Sequence, residues 1–278
     1  MKEKYKSGFA AIIGMPNVGK STLLNKIAGQ KIAIISEKPQ TTRNKILAIH
    51  TTDTEQIIFT DTPGIHKPHN KLGEFMVNAA NETMRDVDVL LFVIDATRPI
   101  QDVEREIVKN IAKTGLPCIL VMNKVDLVEK SNLLPMIADY SSMYDFESIV
   151  PMSAKSGDGV DVLLNDIKNY IPEGPQFYDE DMITDQPEKQ IAAEIIREKM
   201  LWLLDKEIPH GIAIEITKMQ EKEKITNIYA TIYCEKATHK GIIIGKNGDM
   251  LKKIGSMARK DIEHMLGKKV YMELWVKV

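Results

Sequence analysis

At 278 residues and 44% hydrophobic, the chain can bury one large or two modest cores, which excludes a disordered or disulfide-stapled mini-protein. Its net charge of −2 hides an asymmetry: residues 236–278 hold ten Lys or Arg against four acids, a net +6, while residues 1–235 carry −8. That split points to a C-terminal surface that meets polyanions.

Cys118 lies in an apolar run and Cys234 stands far from it, so neither a disulfide framework nor a cysteine metal cluster is expected, and the compartment reads as reducing. The histidines lack ligand spacing. The apolar stretch at 89–94 falls short of the roughly 20 residues of a spanning helix, and the N-terminus has no signal-peptide core. A cytoplasmic protein is expected.

In chain order, the apolar run 8–13 precedes a glycine loop and a helix over 21–29, and further strands are expected at 46–52, 56–60, 89–95, 118–124 and 148–154. Apolar runs alternating with helix-length segments predict an α/β domain with a mainly parallel sheet covered on both faces. The pair 46–52 and 56–60 adds an antiparallel edge. A helix over 160–170 closes this domain, residues 1–172, and the acidic, proline-containing stretch 173–187 reads as a linker. Residues 188–278 form a smaller α+β domain in the order helix, strand, strand, helix, strand. Its first helix carries Ile191, Ile195 and Met200 on one face, strands follow at 212–219 and 225–234, and the chain closes through a helix opened by glycine and a strand from 269.

Four motifs carry the chemistry of the first domain. GMPNVGKS, residues 14–21, fits G-x-x-x-x-G-K-[ST] between a strand and a helix. Gly14, Val18 and Gly19 let backbone N–H groups curl around phosphate oxygens, Lys20 neutralises the β- and γ-phosphates, and Ser21, beside Thr22, offers its hydroxyl to Mg²⁺. DTPG at 61–64 brings Asp61 to the Mg²⁺ sphere and the Gly64 N–H to the γ-phosphate. NKVD at 123–126 places Asn123, Lys124 and Asp126 at a strand's carboxyl end, where open α/β sheets bind ligands. The Asp126 carboxylate can accept from guanine N1–H and the exocyclic amine, so GTP is chosen over ATP; a P-loop metabolic kinase would leave this motif unexplained. Ser153, Ala154 and Lys155 suit backbone recognition of the guanine oxygen.

GMPNVGKST, QTTR, DTPG, NKVD and SAK together resemble the translation-factor-like GTPases, and among them the Era family of bacterial ribosome-assembly GTPases. The resemblance implies that QTTR, residues 40–43, is the first switch, with Thr42, ahead of Thr41, closing over Mg²⁺ and the γ-phosphate. Ile65 follows Gly64 where many small GTPases carry the glutamine that orients water, so slow intrinsic hydrolysis is expected. In related GTPases the loop asparagine, here Asn17, ligates a monovalent cation, which implies stimulation by K⁺.

GKNG, residues 245–248, stands before a helix as the G-x-x-G of a KH domain does, where unhindered backbone lets a nucleic-acid strand approach. Gly245, Lys246, Asn247 and Gly248 are the expected clamp. Ile242, Ile243 and Ile244 are expected to line an apolar groove, and Lys252 and Lys253 to meet phosphates. The order of segments resembles the type II KH domain of the same family. The resemblance covers nearly the whole chain and implies binding to single-stranded sequence near the 3′ end of small-subunit rRNA and a role in assembly of the 30S particle; with no heptad seam or large apolar stripe in the sequence, a monomer is expected. A second reading is a membrane-surface GTPase whose basic C-terminal face meets anionic lipid, giving a weak peripheral inner-membrane association.

Overall fold

The computed structural model describes residues 4–36, 38, 41, 46–61, 86–205 and 208–278, with backbone alone at His210. By internal contacts the chain forms two units, Met1–Ala33 with Pro39–Asp185, and Gln186–Val278 with Ile34–Lys38.

The first unit holds β1 (Lys6–Ile13), α1 (Lys20–Ala28), β2 (Ile46–Thr51), β3 (Glu55–Asp61), β4 (Val89–Asp95), α2 (Asp102–Thr114), β5 (Cys118–Asn123), α3 (Lys130–Met143), β6 (Ser148–Pro151) and α4 (Val160–Ile167). The six strands make one sheet in the order β2-β3-β1-β4-β5-β6, with β2 antiparallel to β3 and the other pairs parallel. β3, β4 and β5 are buried at every residue because the sheet is covered on both faces; β4 and β5 therefore read as apolar runs closed by one polar residue, whereas β3 also buries Glu55, Gln56, Thr60 and Asp61. Alternate side chains serve opposite faces. Ala10, Ile12, Leu91, Val93, Ile119 and Val121 share a core with Leu23 and Leu24 of α1 and Leu163 and Ile167 of α4. Ala11, Ile13, Leu90, Phe92, Leu120 and Met122 share the other with Ile107 and Ile111 of α2 and Tyr140 of α3.

The segment 173–187 holds neither helix nor regular strand, as expected, but most of it is pinned to the first unit. The Gln56 side chain, fully buried, accepts from the N–H groups of Phe177 and Tyr178 at 2.8 and 3.0 Å and donates to the Tyr178 carbonyl at 2.9 Å. Ile49 N–H donates to the Ile183 carbonyl at 2.9 Å, and the Thr184 hydroxyl donates to the Leu47 carbonyl at 2.7 Å. Backbone groups satisfied in this way need no ladder.

The second unit contains α5 (Glu188–Leu203), β7 (Ile212–Glu221), β8 (Ile225–Cys234), α6 (Ala237–Ile244), α7 (Asp249–Leu266) and β9 (Lys269–Lys277). Its sheet runs β7-β8-β9, with β7 antiparallel and β9 parallel to β8. Ile191, Ile195 and Met200 of α5 pack with Ile228, Ala230 and Ile232 of β8 and with Ile254, Ala258 and Ile262 of α7. Helix α6 is absent from the expected order of elements. Its Thr238 and three isoleucines are β-branched and poor helix formers; tertiary packing overrides that preference by burying Ile243 completely in the core.

Phe92 is fully buried, with ring centroids 6.2 Å from Tyr140 and 6.4 Å from Phe146. Phe92→Ala should lower the unfolding free energy of the first unit by about 3–5 kcal/mol, read from urea denaturation, because so tightly packed a site collapses little around the cavity.

Candidate functional site

The motifs of the first unit gather where its parallel strands end. GMPNVGKS leaves β1, Asp61 is the last residue of β3, Asp95 and Asn123 pair in register at the ends of β4 and β5, and SAK follows β6. Gly14, Asn17 and Gly19 have φ of 149°, 66° and 104°, a run of positive values that bends the loop into a concavity of the kind in which backbone N–H groups bind anions. A Cβ on Gly19 would stand 2.1 Å from Asn123 Nδ2, so only glycine admits the asparagine there. α1 begins at Lys20 and adds its N-terminal potential.

Lys20 is 6% exposed and its ammonium donates to the carbonyls of Gly14 and Met15 at 3.1 and 2.8 Å. Burial pushes its pKa down to about 8, against the opposing pull of Asp61. The Ser21 hydroxyl donates to Asp61 Oδ2 at 2.7 Å. A hydroxyl and a carboxylate brought together from two motifs are the hard oxygen donors that suit Mg²⁺. Thr22 is half-buried on α1. Thr42 and Gly64, with Ile65, lie outside the described residues, whereas Thr41 is among them and half-buried.

Asn123 joins three of the motifs. Its Nδ2 donates to the Val18 carbonyl at 2.8 Å, and its Oδ1 accepts from Ala154 N–H at 2.9 Å. Lys124, held at φ 66°, donates to the Asn17 carbonyl at 2.8 Å and to Asp95 Oδ2 at 2.6 Å. Asp126 is exposed on a 3₁₀ turn, Val125–Leu127, with its carboxylate free of ion pairs among the described residues. Ser153 is buried and its N–H donates to the Asp158 carbonyl, while Lys155 is exposed. The structure therefore brings Gly14, Asn17, Val18, Gly19, Lys20, Ser21, Asp61, Asn123, Lys124 and Ala154 together in an array of hydrogen-bonded groups at the ends of the parallel strands.

Asp95 belongs to that array and the sequence reading passed over it. It is 4% exposed, and besides Lys124 it accepts from the Thr97 hydroxyl and N–H at 2.6 and 3.0 Å. The only signal in the sequence is a carboxylate closing a fully apolar strand.

In the second unit, α6, the GKNG turn and α7 follow one another directly. Gly245, Asn247 and Gly248 all have positive φ, at 73°, 53° and 80°, and Lys246 and Asn247 are exposed. Lys252 and Lys253 are exposed on the first turn and a half of α7. The three isoleucines part company, because successive helical residues point about 100° apart. Ile242 is 51% exposed and Ile244 is half-buried, but Ile243 is 0% exposed and is a core residue rather than a groove-lining one.

Fold and site together define a P-loop GTPase unit followed by a KH unit. A family model described as "50S ribosome-binding GTPase" matches residues 9–124, and a KH domain model matches residues 207–278. GTPase Era of Ruminiclostridium cellulolyticum is 58% identical over 99% of this chain and 92% of its own length, and GTPase Era of Clostridioides difficile is 53% identical over 99% and 93%. A crystal structure of Era in complex with MgGDPNP and nucleotides 1506–1542 of 16S ribosomal RNA is similar at a TM-score of 0.93 and 43% identity, over 99% of this chain and 94% of that one. A variant of Aquifex aeolicus Era bound to GDP and AlF₄⁻ gives the same TM-score and identity over 98% and 94%. The chain belongs to the Era family of GTPases.

Burial alone would raise the Asp95 carboxyl, but hydrogen bonds from Lys124 and Thr97 outweigh it and hold the pKa below the usual carboxylate value. A depressed folded-state pKa contributes stability above the unfolded value, about 3.9, that is lost as pH falls through the folded value. Asp95→Asn should therefore be less stable than the wild type at pH 7 and should lose less stability between pH 5 and pH 3, measured by urea denaturation across that range.

Proposed function

We propose that this chain is a slow GTP-hydrolysing switch that binds single-stranded sequence near the 3′ end of small-subunit rRNA and assists 30S subunit assembly. The observation that carries the nucleotide half is the Asn123 bridge, which ties the phosphate loop to SAK across the strand end that bears NKVD. Lys20, exchanging its loop carbonyls for phosphate oxygens, meets the β- and γ-phosphates. Asp126 accepts from guanine N1–H and the exocyclic amine. The backbone of SAK, Ser153 to Lys155, which Asn123 holds through the Ala154 N–H, meets the guanine oxygen. Mg²⁺, held by Ser21, Thr42 and Asp61, would neutralise charge on the phosphate oxygens. With Ile65 in place of a water-orienting glutamine, the rate depends on Thr42, the Gly64 N–H and a K⁺ ion held by Asn17.

The RNA half rests on GKNG between α6 and α7 and on the exposed Lys246, Lys252 and Lys253. The related Era was crystallised with a 16S rRNA segment, which supports the same partner here. A ribosomal partner places the working protein, a monomer, in the cytoplasm; no described helix is long and apolar enough to cross a membrane. A peripheral inner-membrane fraction would need the basic face alone and not the glycines.

GTP hydrolysis should be at least about tenfold faster in KCl than in NaCl at equal ionic strength, and Asn17→Ala should remove most of that difference; equal rates in the two salts would refute the K⁺ assignment. Gly248→Asp should weaken binding to an RNA copied from the 3′ end of small-subunit rRNA by at least about tenfold in an anisotropy titration, with binding to vesicles of anionic lipid as the contrasting measurement. Retained RNA affinity would dismiss the clamp, and lipid binding without RNA binding would favour the membrane reading.

A further inference from the structure

Helix α5 buries three consecutive charged residues, Arg197, Glu198 and Lys199, each at 2% exposure or less. Buried charge is costly unless paired, and an apolar pair of similar volume would pack the core at least as well. Arg197 pairs with Glu194 one turn back, while Glu198 and Lys199 form a connected line with residues beyond α5. Lys199 Nζ lies 2.7 Å from Glu198 Oε2 and 2.5 Å from Asp261 Oδ2 on α7, and 3.8 Å from the centroid of the Trp202 ring. The other Glu198 oxygen, Oε1, accepts from Ile35 N–H at 2.9 Å, and Trp202 Nε1–H donates to the Ile35 carbonyl at 3.0 Å. Lys38 donates to the Leu204 carbonyl and lies 3.7 Å from Asp205. The strap Ile34–Lys38 is thus held to α5 by both backbone groups of Ile35, and belongs by its contacts to the second unit. The preceding Ile32 and Ala33 are fixed through their N–H groups to Asn25 Oδ1 of α1 at 2.9 and 2.8 Å.

The line therefore begins at a strap that continues in sequence to Thr41 and ends on the helix that opens immediately after GKNG. We propose that Trp202, Glu198, Lys199 and Asp261 are positioning residues that couple the strap to α7, so that nucleotide state and RNA occupancy bias one another through them. The inference rests on the GTPase and RNA-binding reading above. Coupling of this kind is reciprocal: whatever factor the nucleotide applies to RNA affinity, RNA applies to nucleotide affinity. Packing alone does not ask for a carboxylate that pairs a lysine with one oxygen and a backbone N–H with the other.

The test is the ratio of RNA affinities with a non-hydrolysable GTP analogue and with GDP, measured on the full chain by anisotropy with an RNA copied from the 3′ end of small-subunit rRNA. The wild type should show at least about a fivefold ratio, the lower range of allosteric coupling. Trp202→Phe keeps the ring beside Lys199 but removes the donor to Ile35, and Asp261→Asn breaks the far end at a partly exposed position, so both should fold. Each should bring the ratio to within about twofold while the GDP affinity stays within about twofold of the wild type. A ratio that survives in both variants, or a wild type that binds RNA equally in both states, overturns the relay alone. A wild type that binds no RNA in either state overturns the functional reading and the relay with it.

Discussion

The amide of Asn123 is the joint on which the nucleotide site turns. One end donates to the phosphate loop at Val18 and the other accepts from Ala154, so the loop, the end of β5 and the SAK turn have a common position only while that side chain is in place. The surrounding features make room for it: Gly19 leaves the space a Cβ would fill, and the register of β4 with β5 sets Asp95 opposite Asn123. Asp95 in turn anchors Lys124 across Asn17. Two neighbouring strand ends thus present a polar array where the apolar strands β4 and β5 stop, as expected of ligand sites at the carboxyl ends of parallel strands.

What could be read from residues alone follows from how strongly local pattern determines the structure. The central parallel strands were legible because burial on both faces keeps β4 and β5 apolar up to their last residues, and 89–95 is found as β4 at the expected bounds. The motif loops were legible because each sits where such a strand stops. Contacts made far along the chain were not. Nothing near Gln56 says that its amide will hold residues 177 and 178, so the acidic stretch after α4 reads as a linker when most of it is fastened to the first unit. Helix α6 was hidden for a related reason, since an isoleucine run reads as strand or groove until the fold shows which of the three is swallowed.

The buried charges of α5 show the same limit from the other side. Nothing in the sequence around Arg197, Glu198 and Lys199 marks them as buried: Asp261 of α7 and Ile35 reach Lys199 and Glu198 from distant parts of the chain, while Arg197 pairs with Glu194 and Lys199 meets Trp202 on α5 itself. A helix buried on more than one side loses the clean polar stripe from which its orientation could be inferred.

The two glycines of GKNG answer to different demands. A Cβ on Gly245 would press within 2.7 Å of Met250 Cβ, so the fold itself refuses a side chain there. A Cβ on Gly248 meets nothing within 4 Å, and only its left-handed φ of 80° disfavours other residues, a cost of about 1–2 kcal/mol. Folding and binding therefore make separate demands at that position: the fold of the second unit leaves room for a side chain at Gly248, and a bare backbone there keeps the turn open to whatever approaches from outside.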